Sequence, residues 1–298
     1  MSFFIGIDLG ASHVKAVAVT PEGEALGRKE VSFDQSVARD WVGKVELAVA
    51  TLEGENGGTA KGMGLSAPGL ASRDRRSIAF LPERMEGLER MDWGEHMGRG
   101  HAVPVLNDGQ AALLGEVWRG AARGAENVIM ITLGTGVGGA AMVEGRLLRG
   151  RNGKAGHLGH TALDPDAEFD ICGSPGSLEL AIGNCSLEKR SGGRFNDTGE
   201  MVKAHRGGDV EASEVWLTSV KRLAAAISTF TNVLDPEVVV VGGGIARAGD
   251  DLFRPLENFL RPMEWDVGGE PVRLVQAELG EHAGAFGAAW EAMRNGNE

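Results

Sequence analysis

The chain has 298 residues, enough for one large domain or two of ordinary size. Its 30 Lys+Arg against 42 Asp+Glu give a formal net charge of −12, which argues against the basic footprint that nucleic acid or an anionic membrane demands. Two cysteines, Cys172 and Cys185, cannot build a disulfide framework, and no apolar stretch approaches the roughly 18–20 residues of a membrane span, so a cytoplasmic protein is expected.

The N-terminal MSFFIGIDLG has no basic leader before its short apolar run and reads as a strand, not a signal peptide. Phe3–Asp8 and Val14–Thr20 are β-prone and joined by Leu9-Gly10-Ala11-Ser12-His13; after the turn Pro21-Glu22-Gly23, Ala25–Phe33 continues the meander. Residues 38–53 carry helical spacing through Ala38, Val42, Val45, Leu47, Ala48 and Leu52. Gly62–Ser66 is a strand ending in Ala67-Pro68-Gly69, Val103–Leu106 is a buried strand, and Gln110–Arg119 is a helix.

A second round begins at Asn127. Val128–Thr132 is a strand, Leu133–Gly139 a glycine-rich turn, and Ala140–Val143 a returning strand. Ile7-Asp8-Leu9-Gly10-Ala11 and Ile131-Thr132-Leu133-Gly134-Thr135 echo each other at the start of each half, as a duplicated domain would require. Segment 150–200 is Gly-rich and irregular, the pattern of a long functional loop. Helical residues 209–234 end at Asp235-Pro236; Val238–Val241 then runs into Gly242-Gly243-Gly244. A helix over Asp250–Leu260, a strand over Val272–Gln276 and a helix over Ala283–Met293 complete an α/β chain of two lobes.

Glycine accounts for 46 of the 298 residues, roughly twice the usual share of about 7%. Glycine-rich turns after strands let backbone N–H groups converge on an anion. Gly134, Gly136 and Gly139 formally make G-x-G-x-x-G, but a strand follows where a dinucleotide fingerprint needs a helix, and a P-loop motif is absent. With Asp8–Ser12 and Gly242–Gly244, three such turns suggest a nucleotide held in a cleft between lobes. A plain hairpin turn is the alternative for Leu133–Gly139 taken alone.

In order, Asp8-Leu9-Gly10-Ala11-Ser12 with Lys15, Asn107-Asp108 opening a helix, Leu133–Gly139, Gly156-x-x-Gly159-His160 and Val238–Gly244 resemble elements of the ROK sugar kinases and repressors. Those elements are the family's phosphate-1, catalytic, phosphate-2, sugar and adenosine motifs, and they span nearly the whole chain. The resemblance implies a two-lobed actin-like ATPase (ribonuclease H-like) fold with a ligand cleft between lobes. Residues 1–118 plus 283–298 would form the N-terminal lobe and 119–282 the C-terminal lobe. With the first strand expected from residue 3, the repressors' additional N-terminal helix-turn-helix domain is not expected.

The implied activity is transfer of the ATP γ-phosphoryl group to the 6-hydroxyl of a hexose or N-acetylhexosamine; a non-catalytic sugar or nucleotide sensor is the alternative. Asp108 would be the general base, with a helix N-cap as its other possible role. Asn107, His157, His160 and Glu179 would contact sugar. Asp8 would hold Mg²⁺ through water. Gly10, Ala11, Ser12, Lys15, Gly134, Thr135, Gly136 and Gly138 would hold the phosphates, and Gly243 and Gly244 the adenosine end. Sugar and ATP are the expected partners, and the family often forms homodimers.

Three departures stand out. The family's sugar-loop Glu is replaced by His157, as in bacterial N-acetylmannosamine kinases, which also share the following Thr161 and Asp164-Pro165. In the run that usually supplies three zinc thiolates, Asp170 and Ser177 stand where cysteines would and only Cys172 survives, so no zinc is expected at His160, Asp170 and Cys172. Glu83 or Arg84 takes the place of a family Asn; Arg84 is either a sugar contact or a solvated side chain beside Glu83 and Glu86.

Overall fold

The computed structural model describes residues 2–81, 85–265 and 267–295, so Glu83 and Arg84 lie outside the described residues. The chain divides into two compact units, one of Met1–Gly124, Arg149–Ala155 and Glu278–Glu298, the other of Ala125–Leu148 and Gly156–Ala277. These bounds lie several residues from the expected 118/119 and 282/283 junctions, and Arg149–Ala155 falls in the first unit. No helix among the described residues is long and apolar enough to cross a membrane.

The first unit contains β1 (Phe4–Leu9), β2 (His13–Val19), β3 (Ala25–Ser32), α1 (Asp40–Glu55), β4 (Gly62–Ala67), β5 (Leu70–Ala71), β6 (Ile78–Phe80), α2 (Trp93–His96), β7 (Val105–Asn107) and α3 (Asp108–Arg119). The second contains β8 (Val128–Leu133), β9 (Val137–Val143), β10 (Arg146–Leu147), α4 (Leu178–Ile182), α5 (Leu187–Arg190), α6 (Thr198–Arg206), α7 (Val210–Leu234), β11 (Val238–Gly242), α8 (Asp250–Leu260) and β12 (Arg273–Gln276). The chain then returns to the first unit as α9 (Ala283–Asn295). Within the expected irregular segment, α4, capped by Ser177 Oγ, α5, without a side-chain cap, and the start of α6, capped by Asp197, are too brief to show a helical period in the sequence.

Each unit has a five-stranded sheet of the same plan. The first runs β3-β2-β1-β4-β7 and the second β10-β9-β8-β11-β12. In both, the first three strands form an antiparallel meander and the last two add in parallel to the meander's first strand. Leu9 pairs with Val14 across one turn and Leu133 with Val137 across the other, so the sequence echo is an equivalence of position.

Alternation builds the layers. Ile5, Ile7 and Leu9 face α1 residues such as Trp41, Val45 and Leu52, while Phe4, Val17 and Val19 pack with Ala285, Phe286 and Ala289 of α9. The glycines make the α9 face possible. A Cβ on Gly6 or Gly64 would strike the carbonyls of Ala285 or Ala288, and one on Gly115 or Gly287 would collide between α3 and α9. In the second unit, Ile129, Ile131, Val239 and Val241 bury against Trp216, Leu223 and Ile227 of α7 and Leu252 and Leu256 of α8. Val238–Val241 is core, as its continuous apolar run suggests.

Candidate active site

The parallel strands of the first unit present their carboxyl ends together. Asp8 lies near the end of β1, Ser66 in the neighbouring position of β4, and Asn107 closes β7 directly before Asp108. Ligands of open α/β sheets are characteristically bound at that edge. Asp8 Oδ1 accepts the Ser66 hydroxyl at 2.6 Å. Burial raises the Asp8 carboxyl to about 6; the Ser66 hydrogen bond opposes this, and the Asp108 charge adds to it while Lys15 opposes it. Two carboxylates therefore repel each other at the strand edge, one of them poorly hydrated.

Helix α3 starts at Asp108, earlier than the apolar spacing suggests, and its cap is Asn107. With extended backbone (φ −66°, ψ 150°), Asn107 turns its Oδ1 to accept the N–H groups of Gly109 at 3.0 Å and Gln110 at 3.4 Å, while its Nδ2 donates to the Gly69 carbonyl at 3.0 Å. The alternative role weighed for Asp108 thus belongs to its neighbour. Asp108 is exposed, and its Oδ1 accepts the Gly109 N–H at 2.7 Å.

The β1–β2 turn is closed by Gly10 N–H donating to the His13 carbonyl at 2.9 Å, and Phe33 N–H donates to Ser12 O at 3.0 Å. Lys15, in register with Asp8, pairs with Glu281 at 2.7 Å. Sequence reasoning missed Ser66, Glu281 and Gly284, where a Cβ would meet the Asp8 carboxylate; all three approach from distant sequence. A cavity of about 350 Å³ opens beside Ala11, lined among others by Phe33, Ser36, Arg39 and Trp41.

In the second unit, the Gly134 and Thr135 carbonyls accept the N–H groups of Asn184 at 3.0 Å and Cys185 at 2.8 Å, which pins the β8–β9 turn from below. Buried Glu179 holds the far side of the turn, its Oε2 accepting the Val137 N–H at 2.9 Å, and a Cβ on Gly136 would strike that oxygen. Gly138 similarly leaves space for Thr132 Oγ1. Gly243, at φ +86°, sits against the Leu133 backbone where no Cβ fits, bringing the ends of β11 and β8 together. Beside it a cavity of about 390 Å³ is lined by Asn184, Thr198, Arg206, Gly244, Ile245 and Arg247, among others.

The loop bearing His157 follows a left-handed Gly156, and Gly159 packs where a Cβ would meet Val137. His160 Nδ1 is 2.8 Å from Asp170 Oδ2 and its Nε2 is 3.4 Å from Cys172 Sγ. Burial pushes the Asp170 carboxyl up, but bonds from His160, Ser174 N–H, Ser177 and Cys172 N–H bring it down to about 2. Among the described residues no three His, Cys, Asp or Glu side chains are grouped to hold a metal.

A sequence model of the ROK family matches residues 4–295. The glucokinase of Thermotoga maritima is 30% identical, over 96% of this chain and 95% of that protein. The N-acetylmannosamine kinase of Escherichia fergusonii is 28% identical, over 96% of each. Among solved structures, a ROK family glucokinase from Streptomyces griseus in complex with glucose and AMPPNP is 30% identical, with a TM-score of 0.78 over 98% of this chain and 100% of that one.

Proposed function

The chain belongs to the ROK family, with the two-lobed actin-like ATPase fold of its sugar kinases, and from that premise we propose that it transfers the γ-phosphoryl group of ATP to the 6-hydroxyl of a hexose or N-acetylhexosamine. The supporting observation is the carboxylate pair at the strand edge of the first unit, where Asn107 caps α3 and Asp108 stays at the surface. Asp108 takes the proton of the acceptor hydroxyl as the hydroxyl oxygen bonds to the γ-phosphorus and the bond from that phosphorus to the bridging oxygen breaks to release ADP, a general-base contribution of about 10²–10⁴-fold.

The donor set at Asp8 fits a divalent cation. Burial and the Asp108 charge disfavour the bare Asp8 anion, and a hard cation relieves both. Mg²⁺ would be held there through water and would neutralise phosphate charge. Gly10, Ala11, Ser12, Lys15, Gly134, Thr135, Gly136 and Gly138 would bind the phosphates. The cavity beside Gly243 and Gly244 takes the adenosine end.

Asn107, His157, His160 and Glu179 position the sugar. An imidazole N–H at His157 can donate to an acetamido carbonyl where the family's Glu cannot, which favours an N-acetylhexosamine. The zinc run does not fit a closed zinc site, because Asp170 already accepts bonds from His160, Ser174, Ser177 and Cys172.

A coupled MgATP assay with glucose, mannose, N-acetylglucosamine and N-acetylmannosamine tests the reading, with the 6-deoxy analogue of the best substrate as control. Turnover of at least one sugar and none of its 6-deoxy form is expected. AMPPNP binding without turnover of any sugar would replace this reading with the sensor.

A further inference from the structure

Away from the strand edge, the first unit contains a second polar pocket. A cavity of about 60 Å³ is lined by Ser72, Arg73, Arg75, Gln110, Arg149 and Arg151, with Ala71, Gly150 and Gly153 completing the wall. Both loops that build it are anchored. The Arg75 carbonyl accepts the Val105 N–H at 2.7 Å, and Gly153, at φ +76°, lies where a Cβ would meet the Ala71 carbonyl at 2.8 Å.

The pocket is short of negative charge. Arg75 donates to Glu291, and Arg149 lies 3.5 Å from the same carboxylate, so one buried anion serves two guanidiniums. Arg73 and Arg151 form no ion pair among the described residues. Asp74, beside Arg73 and Arg75 in the chain, accepts the Ser72 hydroxyl at 2.6 Å and the Arg76 N–H at 3.2 Å. Burial, then the charge of Arg75, lowers the Arg149 pKa, as expected for a cation lacking a full counter-charge.

Gln110 supplies an independent sign. It is only 3% exposed, lines the cavity, and its amide makes no side-chain hydrogen bond among the described residues. Its amide N–H groups are therefore available to a group held in the cavity. It lies two positions after Asp108 on α3, which is roughly 200° of helical rotation, so it faces away from the candidate base.

We propose that this pocket binds a phosphate group, of inorganic phosphate or a small phosphate monoester, at a site separate from the one holding the nucleotide. Paired guanidinium forks match phosphate oxygens, and the Gln110 amide donates to an oxygen they leave. The cavity holds the phosphoryl head, and any ester group extends outward.

Calorimetric titration of the full chain at constant ionic strength tests this, with AMPPNP and Mg²⁺ saturating and inorganic phosphate or glucose 6-phosphate as titrant. A saturable single site is expected, and the tighter titrant identifies the source of the phosphate. Arg149→Gln and Gln110→Leu should each weaken it about tenfold or more. Arg73→Gln with Arg151→Gln, both exposed and safe for folding, should weaken it severalfold. No binding to the wild type, or binding unchanged in these variants, overturns the proposal. So does phosphate binding that AMPPNP abolishes, which would place the anion in the nucleotide site. Titration with AMPPNP alone reports on the kinase reading separately.

Discussion

Ser66 Oγ donates to Asp8 Oδ1 at 2.6 Å, tying the carboxyl end of β4 to that of β1. The bond orients the carboxylate without discharging it, and burial still holds its pKa at about 6.

A group whose folded pKa lies above its unfolded value stabilises the fold below the unfolded pKa and loses that contribution as pH rises through the folded one. Asp8 therefore contributes fully below about pH 3.8 and loses this contribution as pH rises through about 6. In thermal melts without Mg²⁺, Asp8→Asn should gain on the wild type as pH rises from 4 to 7.5. Mg²⁺ should narrow the gap at high pH. Parallel curves for the two proteins would remove Asp8 from the titration.

Asp108→Ala should lower turnover by about 10²–10⁴-fold and leave nucleotide affinity within about twofold. Asn107→Ala should instead cost roughly 0.5–2 kcal/mol of stability, because it removes the helix cap. Steady-state kinetics and melting curves on the two variants check the division of labour. Unimpaired turnover in Asp108→Ala would end the assignment of the base.

Glu179→Ala leaves the buried Val137 N–H without its acceptor and should cost about 1–3 kcal/mol. Glu179→Gln retains an acceptor oxygen and should fold nearly as well while binding sugar more weakly. Denaturant unfolding and sugar KM measured on both variants separate support of the turn from sugar contact.

Asp170 shifts the other way. Its carboxyl is held at about 2, so its contribution is present above the unfolded value of 3.8 and disappears as pH falls through about 2. Asp170→Asn should melt below the wild type at pH 7, and the difference should shrink between pH 4 and 2. A difference that persists unchanged at the lowest pH would trace the loss to packing.

Gly64→Ala forces a Cβ into the Ala288 carbonyl and should destabilise the first unit by about 1–3 kcal/mol. Gly43→Ala, on the exposed face of α1 with open space around it, should be neutral or slightly stabilising. Melting temperatures of the pair show whether close approach of α9 explains the glycine excess.

Much of the fold was legible because period reports burial. The meanders, the valine strand and the long helix α7 all lie within a few residues of where alternation and helical spacing place them. The short helices α4, α5 and α6 were not, since a turn or two of helix shows no period and depends on caps. The site's strand-end carboxylates and glycine turns were readable for a related reason: each needs only a local motif. Arg84, left open between two roles, lies outside the described residues.

What the sequence determined by itself was therefore whatever neighbouring residues settle among themselves: strand, turn, glycine, and the adjacency of Asn107 to Asp108. Tertiary structure decided the rest. The extended backbone at Asn107 makes it the cap, Glu179 reaches Val137 from 42 residues away, and Arg149 joins Arg75 on Glu291. Those partners are selected by packing and by the need to satisfy buried polar groups, and neither leaves a period along the chain.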